Sequence, residues 1–193
     1  MSNFDATKPD IRLWADLVKT LVPYVPGEQP KHNNLCKLNT NENPFPPSPK
    51  VAEAIQAEIA NQADNLRFYP APESDKLREV MAQTYSVNPN QIFVGNGSDE
   101  VLAHIFACFF VKNLPVLTPD IGYSFYPVYA DTFGVDLQMI DLSKDFSINI
   151  DDYHQDCAGI IFANPNAPTG ILLELDKIES LLKNHRKDRK STR

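Results

Sequence analysis

The sequence predicts an α/β fold with a mostly parallel sheet covered by helices on both faces. Two observations carry that prediction. Short apolar stretches alternate with segments whose apolar residues recur every three or four positions, the rhythm of strands alternating with helices. Several of the apolar stretches also run straight into strings of glycine, asparagine and proline, which are turn formers. In parallel α/β sheets, ligands gather where strands end in such turns, at their carboxyl ends.

Taken in order, Ile11, Trp14, Leu17, Val18 and Leu21 have helical spacing and predict a short N-terminal helix. Residues 23–50 hold seven of the sixteen prolines and read as a long irregular arm, a kind of segment that is often functional or docked on a partner. Ser48-Pro49 has the form of an N-cap followed by proline at the first helical position, and Val51, Ile55 and Ile59 then share one face. Leu77, Met81 and Tyr85 predict a second helix. Residues 92–94 predict a strand broken by Gly95, and Leu102, Ile105, Phe106 and Phe109 predict a helix over 98–110. A strand near 115–118, a helix near 126–132, a strand near 135–140 and a buried strand at 158–163 follow. Leu175, Ile178 and Leu182 mark a last helix. The expected division is a helix and arm at 1–50, an α/β body at 51–182 and a basic tail at 183–193, with no internal repeat.

Composition narrows the function. The 193 residues are 42% hydrophobic and 22% charged, which belongs to a globular chain able to bury a core. No apolar run approaches the roughly 18 residues that cross a bilayer, so no membrane partner is expected. The N-terminus has neither a basic segment nor an apolar one, so no secretory signal is expected. Cys36, Cys108 and Cys157 form no CxxC pair and are read as reduced thiols of a cytoplasmic protein. A net charge of −7 argues against nucleic acid as a partner. That charge is unevenly spread: residues 183–193 hold six of the 18 basic residues and one acid, Asp188.

Three strings could hold a ligand. Gly95-Asn96-Gly97-Ser98-Asp99-Glu100 joins a strand to a helix, where free amides at a helix N-terminus would receive an anion. It is neither a Walker A loop nor a dinucleotide fingerprint, and a plain turn with Ser98 as helix cap is the competing reading. Tyr123, Tyr126 and Tyr129 follow the next strand; one ring could stack on a flat heteroaromatic ligand, or all three could be packing. Ala163-Asn164-Pro165-Asn166-Ala167-Pro168-Thr169-Gly170 is a rigid turn that aims side-chain amides at a strand's end. His104 and Cys108 lie four apart, but the phenylalanines around Cys108 favour a packed thiol, and no metal site is expected.

Taken together, these strings resemble the histidinol-phosphate aminotransferases of the fold-type-I pyridoxal-phosphate family. The resemblance runs from about residue 11 to 182. Its motifs are Pro23-Tyr24-Val25-Pro26-Gly27, Leu38-Asn39-Thr40-Asn41-Glu42-Asn43-Pro44, Arg67-Phe68-Tyr69-Pro70, the string from Gly95, the tyrosines from Tyr123 and the string from Asn164. The resemblance implies part of the large domain of such an enzyme, with pyridoxal phosphate as cofactor. Backbone amides of Ser98 and Asp99 would bind the cofactor phosphate, and Tyr123 would stack on its ring. Tyr69 would reach a partner's cofactor across a homodimer, while Tyr24 and Asn43 would lie near a small phosphorylated amino compound. The implied reaction exchanges an amino group between histidinol phosphate and 2-oxoglutarate in histidine synthesis.

Two departures from the pattern stand out. The asparagine that the family commonly places before Pro-Thr-Gly is Ala167 here, which leaves Asn166 or Asn164 to take its role. The Schiff-base lysine, its neighbouring arginine and the small C-terminal domain have no counterpart, and Lys112, Lys144 and Lys177 lie in loop or polar-helix settings. The expectation is therefore a truncated enzyme with no catalytic residue of its own, inactive alone. The alternatives are a non-catalytic phosphate-binding or dimerisation module, and a related pyridoxal-phosphate enzyme with another phosphorylated substrate.

Overall fold

The structure is a computed structural model and describes residues 11–21, 36–38, 42–110 and 113–185. The described residues fall into two compact units. One holds those up to Leu21 together with those from Phe93 onward; the other holds those between Val22 and Ile92.

The smaller unit is helical. Helix α2 spans Pro49–Gln62 and starts on Pro49 as expected, although Ser48 makes no side-chain cap bond. Its face of Val51, Ile55 and Ile59 is exposed. Helix α3 spans Asp75–Tyr85 and ends on Ser86 in the left-handed conformation. Arg78 ties α3 to the turn Pro89–Gln91 by donating from Nε and Nη2 to the Pro89 carbonyl at 3.3 and 2.9 Å. That turn is closed by a capping box between Asn88 and Gln91.

The larger unit is the α/β body, preceded by a helical turn at Ile11–Leu13 and the five-residue helix α1, Asp16–Thr20. Three strands form a parallel sheet in the order β2-β1-β3, with β1 at Val116–Pro119, β2 at Leu137–Ile140 and β3 at Gly159–Ile160. Val116 pairs with Leu137 on one side and Gly159 on the other. Every residue of β1 is buried, as a central parallel strand requires.

Alternation along β1 sends its neighbours to opposite faces. Val116 packs with Phe106, Phe110, Tyr126, Tyr129, Ala130 and Val135, the apolar sides of helix α4 (Gly97–Ile105), the turn after it and helix α5 (Tyr126–Phe133). Leu117 packs on the other face with Ile148, Tyr153, Cys157, Leu173 and Leu181, the last from helix α6 (Leu175–Asn184). The sheet is thus covered on both sides. Burying side chains such as Val116, Leu117 and Phe106 contributes about 1.5–3 kcal/mol each.

Five local expectations are corrected. Residues 92–94 form no strand: Ile92 is extended but pairs with no described strand, and Phe93 instead sets its ring edge-on to His104 at 5.8 Å. The strand at 158–163 shrinks to two paired residues, with single backbone bonds from Ala158 and Ile161 to the β1 side extending it. The helix over 98–110 changes pitch at Phe106–Phe110, a π-helical turn that buries Phe106 and Phe110. That turn leaves Cys108 exposed, so it is not the packed thiol its neighbours imply. Finally, α4 begins at Gly97 with Asn96 as its N-cap, which places Ser98 inside the first turn instead of at the cap.

Candidate cofactor site

The sheet's parallel topology brings the ends of β1 and β3 to one edge, and two of the predicted strings lie there. Beyond Pro119 the chain turns through Asp120-Ile121-Gly122 to Tyr123. Beyond β3 comes the asparagine–proline turn, closed by backbone bonds from Gly170 N–H to the Asn166 carbonyl at 2.7 Å and from Asn166 N–H to the Ile171 carbonyl at 2.9 Å.

The two asparagines of that turn behave differently. Asn164 Nδ2 donates to the Leu173 carbonyl at 3.0 Å and its Oδ1 accepts from Leu173 N–H at 2.8 Å, so both ends of its amide hold the turn closed. Asn166 is buried, and its Nδ2 donates to the Ile121 carbonyl at 2.9 Å, which locks the turn onto the loop after β1. Asn166 Oδ1 has no hydrogen-bond partner among the described residues, and neither does Oγ1 of buried Thr118. Both atoms face the space above Gly122: a Cβ built there would lie 3.9 Å from Thr118 Oγ1 and 4.0 Å from Asn166 Oδ1.

Helix α4 joins this edge through its first turn. The first-turn amides of any helix lack intrahelical acceptors, and the helix dipole makes them receptive to an anion. Gly97, at φ 84°, provides the backbone turn that a side chain rarely adopts, and its own N–H is used by the Gly95 carbonyl at 2.9 Å. Ser98 and Asp99 supply the next two amides. The Asp99 side chain turns to the tyrosines: Tyr123 Oη donates to Asp99 Oδ1 at 2.8 Å, and Tyr129 Oη lies 3.2 Å from the same oxygen and 3.1 Å from the Asp99 carbonyl. Glu100 Oε2 accepts the Asn96 amide. Burial, and then the Asp99 charge, push the Tyr129 hydroxyl far above the ordinary tyrosine range, so it stays a donor.

Of the residues singled out in the sequence, Asp99, Tyr123 and Asn166 are therefore linked through the loop after β1, Ser98 stands beside Asp99 in the first turn of α4, and Asn164 braces the asparagine–proline turn. Asn43 and Tyr69 belong to the other compact unit. Asn43 Oδ1 accepts from Phe45 N–H at 3.0 Å, and Tyr69 is fully exposed. Tyr24 and Lys112 lie outside the described residues. Lys144 and Lys177 are exposed. Thr118 and the Asp99 carboxylate were not singled out by sequence reasoning, because their neighbours in space lie far off in the chain: Tyr123 and Tyr129 are 24 and 30 residues beyond Asp99. Among the described residues no three histidines, cysteines or acids are grouped to hold a metal, and no helix is long and apolar enough to cross a membrane.

The donor set suits a phosphorylated aromatic ring. The α4 amides match a phosphate, Tyr123 offers an aromatic face beside them, and the orphaned polar atoms of Asn166 and Thr118 are what buried polar groups show when a polar ligand or water completes them.

A parallel α/β sheet with an anion-receptive helix end, a ring and an amide turn at its strand ends is the architecture of an α/β protein with a candidate small-molecule site at its strand ends. More narrowly, the chain belongs to the aminotransferase class I and II family, whose family model matches residues 33–189. It is 64% identical to histidinol-phosphate aminotransferase 2 of Psychrobacter arcticus over 93% of this chain and 48% of that protein. It is 54% identical to histidinol-phosphate aminotransferase of Acinetobacter baylyi over 94% of this chain and 50% of that protein. Among solved structures it resembles histidinol-phosphate aminotransferase from Sinorhizobium meliloti in complex with pyridoxal-5'-phosphate, with a TM-score of 0.66 and 23% identity over 75% of this chain and 40% of that one. The last comparison shows the shared fold. The chain spans about half the length of the curated relatives it matches.

Proposed function

We propose that this chain is the cofactor-holding portion of a histidinol-phosphate aminotransferase, binding pyridoxal phosphate at the edge formed by α4, Tyr123 and Asn166. The observation that carries the reading is the pair of long-range hydrogen bonds, Tyr123 to Asp99 and Asn166 to Ile121, which link three separate motifs into one site. The identity to enzymes of that name supports histidinol phosphate as the substrate, with 2-oxoglutarate as the partner that the sequence resemblance implies.

When bound, the cofactor supplies an electron sink that eases removal of a proton beside the amino group. The chain's own residues bind and orient. The Ser98 and Asp99 amides hold the phosphate, and the Tyr123 ring supports one face of the pyridine. Asn166 takes the place left open by Ala167, while Asn164 keeps the turn closed. The resemblance would further assign Tyr69 to a partner's cofactor phosphate in a cytoplasmic homodimer, and Tyr24 and Asn43 to the substrate. Lys144 and Lys177 are exposed, and neither is assigned the part of proton carrier in this reading.

The test combines two assays on the purified chain. Borohydride reduction in the presence of pyridoxal phosphate, followed by peptide mapping, yields no stoichiometric adduct at one internal lysine. Transamination of histidinol phosphate is absent until the second half of the Psychrobacter arcticus relative is supplied as a separate chain. Sustained turnover by the 193 residues alone contradicts the proposal.

A further inference from the structure

The first turn of α4 contains a competitor for the phosphate it is to receive. Carboxylates are favoured at a helix N-terminus for the same reason phosphates are, and short acidic side chains readily cap the amides of their own turn. Asp99 and Glu100 both stand there. A carboxylate tethered within the turn sits at high effective concentration, and it would both occupy the amides and repel a dianion. Neither acid is given that freedom. Glu100 takes the Asn96 amide, and Asp99 Oδ1 accepts from Tyr123 Oη at 2.8 Å with Tyr129 Oη at 3.2 Å.

Tyr129 has the features of a fixed anchor. It is buried on α5, with its ring 5.3 Å from that of Phe106 and 5.0 Å from that of Phe125. Its single hydroxyl proton is shared between the carbonyl and the carboxylate of the same residue, Asp99, so it holds both the backbone and the side chain of the helix's first turn. Tyr123 closes the other side of the carboxylate.

We propose that Tyr129, with Tyr123, acts as a clamp that holds the Asp99 carboxylate aside and so keeps the first-turn amides of α4 open to a phosphate group. Tyr129 and Asp99 are then positioning residues whose side chains act on the ligand through the cradle they keep clear. This rests on the function proposed above, and it adds a role for two side chains that the binding reading does not require.

The experiment compares the affinity of the 193-residue chain for pyridoxal phosphate and for pyridoxal, which lacks the phosphate; the ratio isolates the cradle from the ring contacts. Tyr129→Phe keeps the ring and its packing, and melting is followed to confirm a folded chain. The clamp predicts that Tyr129→Phe lowers the preference for the phosphorylated ligand about two- to tenfold, the range that one lost hydrogen bond spans. Adding Asp99→Asn to the Tyr129→Phe chain then restores most of that preference, because the released side chain no longer carries the competing charge. If Tyr129→Phe does not fold, Tyr123→Phe with and without Asp99→Asn gives the same pattern. An unchanged preference in the phenylalanine variant, or a loss that Asp99→Asn does not restore, overturns the clamp while leaving the binding reading standing. Equal affinity of the unaltered chain for the two ligands removes the binding reading and the clamp with it.

Discussion

Tyr123 donates its phenolic proton to Asp99 Oδ1 at 2.8 Å, spanning 24 residues of sequence to join the loop after β1 to the first turn of α4. That bond joins the Tyr123 ring to the helix end proposed to receive a phosphate. Tyr123→Phe keeps the ring and removes the bond. The expected outcome is pyridoxal-phosphate affinity weakened about two- to tenfold, matching a net hydrogen-bond contribution of about 0.5–1.5 kcal/mol. Tyr123→Ala also removes the aromatic face and weakens binding further. Equilibrium titration by absorbance of the bound cofactor measures both.

The two asparagines of the turn should separate stability from binding. Asn164→Ala removes two bonds to the Leu173 backbone and is expected to cost about 1–3 kcal/mol in denaturant unfolding. Asn166→Ala removes the bond to Ile121 and the orphaned oxygen near Gly122, and is expected to weaken pyridoxal-phosphate binding more than Asn164→Ala does. Urea melts and ligand titrations on both variants check the distinction. The opposite pattern would return the ligand contact to Asn164.

Packing at the sheet gives two further outcomes. Leu117→Ala empties a fully buried position on the α6 face and is expected to destabilise by about 2–5 kcal/mol. Gly159→Ala sets a Cβ 2.5 Å from Phe110 Cε1, and the required shift of that ring is expected to cost about 1–3 kcal/mol. Denaturant midpoints at constant slope report both.

Alkaline pH tests the buried tyrosines. Burial raises the hydroxyls of Tyr126, Tyr129 and Tyr153 above the ordinary value near 10, helped by the Asp99 charge at Tyr129 and by the Asp120 and Asp152 charges at Tyr153. A raised folded-state value means that the neutral form is favoured in the native protein. The contribution is therefore fully present below about pH 10 and is lost as pH climbs through the folded-state values. The expected outcome is a plateau in this contribution up to about pH 10 and falling stability beyond it, with late ionisation of these tyrosines in an ultraviolet titration.

Much of the α/β body was legible because its signals are local. Val116 and Leu117 read as strand from their own apolar run, and the spacing of Leu102, Ile105 and Phe106 reads as a helix face whatever surrounds it. Tyr123 and Asn166 were legible as site residues because each follows a strand within a turn-forming string. What local spacing does not contain is pairing and side-chain aim. Residues 92–94 have strand composition, yet a strand exists only where a neighbour accepts its ladder, and no described strand does. A π-helical turn moves Cys108 outward by adding a residue to the turn, which a 3.6-residue period cannot register. The Asp99 carboxylate was not legible as part of the site, because both tyrosines that hold it come from after the next strand.

The proposed site brings α4, Tyr123 and Asn166 together around one phosphorylated pyridine. Its most direct test is a titration of the 193-residue chain with pyridoxal phosphate, followed by tyrosine and tryptophan fluorescence, with pyridoxal and inorganic phosphate titrated in parallel. The expected result is saturable one-site binding of pyridoxal phosphate, tighter than either fragment alone, which is weakened by Asn166→Ala. A folded chain that does not bind pyridoxal phosphate, or binds it no better than pyridoxal, contradicts it.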